Sequence, residues 1–261
     1  MIHLIIATFP EATYFIKSLK LKKIESISEF KVYYNNNFTL TITGLGKLNA
    51  AMAITQTYYE FGKIKNHHWI NIGIAGHLNA MIGDIFIVNK ILDKNSQKCF
   101  YLYSPNFNDI NSTLCETFDK FNKNYKNSLS DMEASGFYES ASKYSSREFI
   151  HSIKVVSDNK LSSIDFKNNK TIEELFSRHS KKFNLFFEKI QKTFNKNAED
   201  LNKINIKVEK LISKVSFSKS ESEQVKNLLK LFFLKKKKID LSIFNNPNDK
   251  KKILVNLKNL L

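Results

Sequence analysis

Short apolar segments that end in glycine turns recur through the first half of this chain. All seven glycines of the 261-residue sequence lie at or before Gly136. A chain so poor in glycine is expected to use it where the backbone turns tightly or approaches another group closely. Strand, glycine turn and helix alternate in this region. This order predicts a parallel α/β sheet whose ligands bind at the carboxyl ends of the strands.

The individual elements are predicted from hydrophobic spacing and turn residues. Strands are expected at Met1–Ala7, within Lys31–Thr43 as a hairpin turning at Asn35–Asn37, and at Trp69–Ile74, Ile85–Asn89 and Phe149–Val156. Helices are expected at Glu11–Leu19, from Gly46 to Phe61, at Met132–Tyr144, and after Thr171, where apolar residues recur at helical spacing. Residues 90–128 show no clear pattern apart from a short strand near Cys115.

Charge is distributed unevenly along the chain. Residues 1–165 carry a net charge of +3 and residues 166–261 a net charge of +13, which together give the +16 of the whole chain. We therefore predict one α/β domain over residues 1–195 and a basic helical C-terminal extension over residues 196–261. Clustered lysines attract phosphate groups, so nucleic acid binding by the extension is an alternative to a solvated helix surface.

Cysteine and histidine usage bears on compartment and cofactors. Cys99 and Cys115 form neither a disulfide framework nor a metal motif, which is usual in a reducing compartment. The apolar run Ile2–Ile6 has no basic segment before it and is too short for an export signal. No apolar stretch reaches the roughly 20 residues that a membrane span requires. A cytoplasmic protein without membrane attachment is expected. The six histidines show no ligand spacing, so no metal or other cofactor is predicted.

The segment Ser130–Phe137 contains an acidic residue, Glu133, among small and apolar neighbours at the expected start of a helix. A carboxylate placed there is either costly to bury or held by specific donors. One interpretation is a first-turn acid stabilised by the helix dipole. The other is a carboxylate that belongs to a binding site.

Five short motifs occur in one order. They are Glu11, Gly44-x-Gly46-Lys47, Gly73-x-Ala75-Gly76 with Gly83-Asp84, Met132-Glu133 and Ser157-Asp158. Together they resemble the purine and uridine nucleoside phosphorylase superfamily, and within it the nucleosidases that hydrolyse methylthioadenosine and adenosylhomocysteine. The resemblance covers roughly residues 1–165. It implies a three-layer sandwich with a central mixed sheet, a nucleoside as small-molecule substrate, and a homodimer or larger homo-oligomer.

The resemblance also implies roles for individual residues. Glu133 would accept hydrogen bonds from the two ribose hydroxyls, and Met132 would pack on the sugar. Asp158 would protonate the base as the glycosidic bond breaks, with Lys154 and Lys160 pointing away from it, and Glu11 would orient the attacking water. The strand-end turn at Gly73 and Ile74 would line the substrate, and Phe118 would stack on the base. Each acid also has a structural alternative, since Asp158 could cap a helix and Glu11 could be an ordinary first-turn acid.

The acceptor of the sugar is predicted from what the phosphorylase pattern lacks here. Arginine is the natural bidentate clamp for phosphate, yet the chain has two arginines, Arg147 and Arg178, both after Met132-Glu133. Ile74 stands where phosphorylases of the superfamily carry a hydroxyl. Their glycine-proline-arginine loop after the first strand is also missing. Hydrolysis of a purine nucleoside is therefore predicted, with phosphorolysis and non-catalytic nucleoside sensing as alternatives. Lys47 is expected to be solvated or to touch the ligand.

Overall fold

The computed structural model describes residues 1–24, 29–61, 67–103, 109–234, 244 and 250–259. They divide into two compact units, Met1–Phe186 and Phe187–Leu261. The division falls inside one long helix. The domain boundary expected between residues 195 and 196 stays a prediction.

The strands of the described residues form one mixed sheet. They are β1 (Ile2–Ile6), β2 (Lys22–Lys23), β3 (Lys31–Tyr34), β4 (Phe38–Ile42), β5 (His68–Gly76), β6 (Ile85–Asp93), β7 (Cys99–Tyr101), β8 (Asn111–Thr117), β9 (Leu129–Asp131) and β10 (Ile150–Asp158). β5 pairs in parallel with β1 and β10, and β1 pairs in parallel with β4. The carboxyl ends of β1, β4, β5 and β10 therefore meet at one edge.

Part of the sheet closes on itself. β10 pairs with β6, β6 with β8, β8 with β9, and β9 returns to β5 through Gly76 and Ser130. This ring explains why the sequence of residues 90–128 shows no clear secondary-structure pattern. β8 belongs to the ring and β7 pairs on β6, but the pattern of each is set by neighbours distant in the chain.

Helices cover both faces of the sheet. They are α1 (Phe9–Ser18), α2 (Lys47–Phe61), α3 (Ala134–Ala141), α4 (Asn169–Ser177) and α5 (Ser180–Ile212), of which α5 continues into the second unit. α1 packs with α4, and α2 packs with α3. The aromatic cluster of Phe15, Phe176 and Phe183 lies under α1 and α4. The core under α2 and α3 includes Trp69 and Phe137.

The second unit contains the rest of α5, α6 (Lys219–Leu234) and α7 (Lys250–Asn259). Its core is apolar and includes Val208, Val225 and Phe232. A capping box begins α6, since Glu221 N–H donates to Ser218 Oγ and Ser218 N–H donates to Glu221 Oε2. Among the described residues, no helix combines the length and apolar character that crossing a bilayer requires.

The architecture confirms the predicted α/β sandwich with a central mixed sheet and helical residues after it. One boundary differs in a way that matters for the site. The helix expected from Met132 begins at Ala134, and Glu133 lies just before it with φ −122° and ψ −32°. Its side chain does not cap the helix. The carboxylate is therefore directed to other partners.

Candidate active site

Three predicted carboxylates lie near the carboxyl ends of parallel strands and are withdrawn from solvent. Glu11, in α1 directly after β1, is 3 % exposed. Glu133, between β9 and α3, is 6 % exposed, and Asp158, the last residue of β10, is 3 % exposed. Buried carboxylates require hydrogen bonds or opposite charges. Their partners therefore define what each can do.

Glu11 joins the start of α1 to the end of β5. Its Oε2 accepts from Thr8 N–H at 2.8 Å and from Thr8 Oγ1 at 2.6 Å, which forms a capping box around the helix start. Its Oε1 accepts from Ile74 N–H at 2.9 Å. The acid therefore caps α1, as the first-turn interpretation predicts, and also bonds the backbone of β5. Its role in orienting water stays a prediction.

Glu133 is held by the glycine turn that precedes α2. Gly46 has φ +98°, a conformation in which L side chains are strained, and its N–H donates to Glu133 Oε1 at 2.8 Å. Gly136 lies three residues after Glu133, in α3. It lets α3 pack closely against the start of α2, since a Cβ there would collide with the Lys47 carbonyl oxygen. One backbone donor leaves a carboxylate with further acceptor capacity.

The electrostatic setting of Glu133 favours its protonated form. Burial raises the pKa of Glu133 to about 7, and the charges of Asp131 and Glu11 act in the same direction. The Lys154 ammonium and the Gly46 N–H oppose this rise. The acid therefore titrates close to neutral pH, as functional carboxyl groups often do.

Lys154 is buried beside Asp131 and Glu133, although no binding role is predicted for it from the sequence. It is 1 % exposed, and its Nζ lies 2.8 Å from Asp131 Oδ2. Burial acts to lower the pKa of Lys154, but the carboxylates of Asp131 and Glu133 outweigh burial and hold it above its ordinary value. Every residue of β10 is buried, and a lysine in such a strand needs an anionic partner. A lysine within a strand of buried type is therefore the sequence signal that could have identified Lys154.

Asp131 is bonded on both oxygens and so fixes the start of α3. Its Oδ1 accepts from Thr117 Oγ1 at 2.7 Å, and its Oδ2 accepts from Ala134 N–H at 2.8 Å as well as from Lys154. This network holds the backbone on either side of Glu133. Asp131 is thus the residue that orients the Met132-Glu133 segment.

Gly73 leaves room for the charged groups at the end of β5. A Cβ at this position would lie 3.1 Å from Glu11 Oε1 and 3.4 Å from Lys154 Nζ. Glu11 and Lys154 therefore approach the same point above the strand. Three residues further along, a Cβ at Gly76 would lie 2.9 Å from Asp158 Oδ2. At about 3.3 Å per residue, the two points are about 10 Å apart along β5.

Asp158 accepts hydrogen bonds from two hydroxyl groups. Ser157 Oγ donates to its Oδ1 at 2.5 Å, and the Tyr125 hydroxyl donates to its Oδ2. Asp158 lies at a strand end next to the end of β5, and its side chain caps no described helix. Tyr125 was not predicted as a site residue, because its Asn- and Lys-rich surroundings are typical of a solvated loop.

The remaining predicted site residues surround these groups. Met132 and Ile74 are half-buried beside Glu133 and Gly73. Phe118 is half-buried, and its N–H donates to the Asp131 carbonyl oxygen at 2.9 Å. Its stacking on a base stays a prediction.

Lys47, His3 and His67 have structural partners. Lys47 Nζ lies 2.9 Å from Asp93 Oδ2 and 2.7 Å from Asp119 Oδ1, so this residue is ion-paired and only partly exposed to solvent. Its contact with a ligand stays a prediction. His3 contacts Thr39 and His67 through its two ring nitrogens. In the described part of the chain, no group of three or more His, Cys, Asp or Glu residues could hold a metal ion.

The fold is that of 5′-methylthioadenosine nucleosidases, members of the predicted superfamily. The Arabidopsis thaliana 5′-methylthioadenosine nucleosidase, solved in its apo form, superposes with a TM-score of 0.60 at 14% identity, covering 71% of this chain and 94% of that one. The methylthioadenosine/adenosylhomocysteine nucleosidase of Campylobacter jejuni gives 0.52 at 14% identity, with 66% and 91% covered. That of Neisseria meningitidis, in complex with methylthio-immucillin-A, gives 0.51 at 17% identity, with 61% and 87% covered.

Sequence comparison alone finds no relative. No family model matches the chain, and no curated protein matches it either. The structural likeness at such low identity establishes the fold, which confirms the resemblance found in the motifs at that level.

Proposed function

We propose that this chain cleaves the N-glycosidic bond of a purine nucleoside by hydrolysis, which yields the free base and a ribose derivative. The observation that carries the proposal is the burial of all three acids, Glu11, Glu133 and Asp158. Three different elements bring these buried acids to the carboxyl ends of β5 and β10. The likeness to nucleosidase structures supports the same reading of the site.

Glu133 is suited to hold the sugar. In its ionised form a carboxylate can accept hydrogen bonds from two vicinal hydroxyls. Its Oε1 accepts from Gly46 N–H, which fixes the direction of the group. Met132 is half-buried beside it and would cover the apolar face of the ribose.

The reaction then needs a base for water and an acid for the departing ring. Water adds to the anomeric carbon as the carbon–nitrogen bond breaks, and the electron pair of that bond remains on the base. Glu11 would orient the water and accept its proton, while Asp158 would deliver a proton to the base. The transition state resembles an oxocarbenium ion, which the surrounding carboxylates stabilise.

Local charge favours water over phosphate as the acceptor. Lys154 is the cation near the sugar position, and it is already paired with Asp131 at 2.8 Å. Glu11, and Glu133 when it is ionised, add further negative charge around it. A phosphate dianion would meet net negative charge there, whereas phosphate sites are usually built from arginine forks and unpaired backbone donors. Neutral water meets no such repulsion.

A base-release assay on a panel of nucleosides, run with and without phosphate, tests the proposal. We expect release of base from a purine nucleoside at equal rates in both conditions. The Glu133→Gln variant serves as the control for contaminating activity. Strict dependence of release on added phosphate would assign the protein as a phosphorylase. Tight nucleoside binding without release would assign it as a sensor.

The protein is further proposed to act as a homodimer. Leu45, Leu48, Met52 and Tyr59 follow one side of α2 and its preceding turn at helical spacing, and each is more than half exposed. Exposed apolar residues grouped on one side of a helix often mark an interaction surface, and a second copy could cover them with the same surface. Light scattering should report a dimer for the wild type and a monomer for Met52→Glu. A monomeric wild type at micromolar concentration would overturn this part. A cytoplasmic location and nucleic acid binding by the extension stay untested.

A further inference from the structure

Residues 118–128, between β8 and β9, bring a tyrosine onto the proposed general acid. The Tyr125 hydroxyl donates to Asp158 Oδ2, and Ser157 Oγ donates to Asp158 Oδ1. Both oxygens of the acid thus already have a hydroxyl donor from the chain itself. Burial, and after it the hydrogen bond to Asp158, raises the pKa of Tyr125. The phenol therefore remains a donor at neutral pH.

The ring of Tyr125 lies directly on the end of β5. Gly76 is the last residue of that strand and pairs with Asp158. A Cβ at Gly76 would collide with the Tyr125 ring, so the ring touches the backbone where a side chain would otherwise be. The volume beside Asp158 at this strand end is consequently filled by a planar aromatic ring of the protein.

This placement is supported by backbone and side-chain hydrogen bonds on the C-terminal side of Tyr125. The Lys126 carbonyl oxygen accepts from Leu78 N–H at 3.0 Å. Asn79 Nδ2 donates to Asn127 Oδ1 at 3.0 Å. The segment is thus docked on the turn that follows β5. The contact of Tyr125 with Asp158 and Gly76 is thus held by the hydrogen bonds of the residues that follow it.

We propose that Tyr125 occupies the position of the nucleobase and must be displaced before a substrate binds. The inference rests on the proposed function, in which Asp158 faces the departing base. A planar ring with a hydrogen-bonding group on Asp158 is what a bound base would also present there. Tyr125 and the base therefore compete for one carboxylate and one volume.

The size of the effect follows from the bond that is exchanged. The hydrogen bond to Asp158 favours the arrangement in which Tyr125 fills the base position. Only molecules with Tyr125 displaced can bind a base, so the apparent affinity falls in proportion to the fraction of such molecules. Losing the phenol oxygen should therefore strengthen binding of a base about ten- to a hundredfold. The chemical step should not change, because the phenol has left the site when the bond breaks.

The test compares wild type with Tyr125→Phe, which removes the hydroxyl and keeps the ring. Calorimetry with adenine as the probe should give a dissociation constant about ten- to a hundredfold lower for the variant. The KM for the best purine nucleoside should fall by the same factor at constant kcat. Tyr34→Phe, at an exposed position on β3, is the matched control and should change neither quantity.

Other results would overturn the proposal. A fall in kcat with an unchanged adenine affinity would place Tyr125 in the proton transfer. Equal adenine affinity and equal kinetics in wild type and variant would make the contact purely structural. If no nucleoside is cleaved, the proposed function fails, but adenine binding still tests the competition. Tyr125→Leu, which removes the ring as well, is the second variant and should bind adenine at least as tightly as Tyr125→Phe. Circular dichroism checks that both variants are folded.

Discussion

Lys154 Nζ lies 2.8 Å from Asp131 Oδ2, and neither side chain is accessible to solvent. Removing one partner from such a pair leaves an uncompensated buried charge. Lys154→Met and Asp131→Asn should each destabilise the fold by about 3–5 kcal/mol, and the double variant by clearly less than the sum. Urea unfolding of the four proteins measures this, with the exposed Lys160→Met as control. Additive single effects would show that the pair is not coupled.

Glu133→Gln should separate function from folding. The amide keeps the shape of the side chain but weakens both acceptor bonds to the ribose hydroxyls. Loss of two charge-assisted hydrogen bonds should lower kcat/KM about a hundred- to ten-thousandfold. Glu139→Gln, at an exposed position of α3, should leave kcat/KM unchanged. Unaltered kcat/KM in Glu133→Gln would remove this residue from the sugar site.

The raised pKa of Glu133, about 7, predicts a pH dependence of substrate binding. The carboxylate is the form that accepts from the ribose, so KM should rise as pH falls below 7, by up to about tenfold per pH unit. Because Lys154 lowers this pKa, Lys154→Met should move the KM profile to higher pH. A KM that is flat between pH 5.5 and 8 would contradict the assignment.

The same pKa has a consequence for stability. The folded-state value, about 7, lies above the ordinary carboxyl value of 4.5, so the fold binds the proton more tightly than the unfolded chain does. The stabilising contribution is complete below pH 4.5 and is lost as pH rises through 7. Glu133→Gln should therefore be more stable than wild type at pH 8, with a smaller difference at pH 5. Thermal unfolding at both pH values measures this.

The fold was largely predictable because its signals are local. β1, β5 and β10 are apolar runs, and the turn at Gly44–Gly46 follows β4 as expected. The turn expected at Gly73–Gly76 is wrong, because β5 continues through Gly76. Glu133 was recognisable from its small neighbours. Lys154 and Tyr125 were not recognised, since each owes its place to a residue distant in the chain, Asp131 and Asp158. Such contacts depend on tertiary structure and leave no periodic pattern.

Asp158→Asn should remove a proton donor while leaving the sugar site in place. A positioned general acid typically contributes about 10²–10⁴ in rate, so kcat on a purine nucleoside should fall by that factor. The defect should shrink on p-nitrophenyl riboside, whose leaving group departs without protonation. Asp165→Asn, at an exposed position, is the control. An equal loss on both substrates would make Asp158 a structural residue.

Gly136→Ala should test the close approach of α2 and α3. The added methyl group would collide with the Lys47 carbonyl oxygen, and backbone atoms cannot move aside as a flexible side chain does. We expect a loss of about 1–3 kcal/mol, typical of overpacking, measured by urea unfolding. The exposed Lys143→Ala is the control. An unchanged free energy of unfolding would mean that the helices separate without cost.

Glu11 ties the first turn of α1 to the backbone of β5 through both of its oxygens. A descendant that abandoned turnover would still be under selection to keep this acid, because losing it would loosen two elements at once. The presence of Glu11 in a related sequence is therefore weak evidence that the sequence encodes an active enzyme. Asp158 caps no described helix, so its substitution costs the fold less. A substitution at this position would therefore be the earlier sign of a protein that keeps the fold but no longer catalyses the reaction.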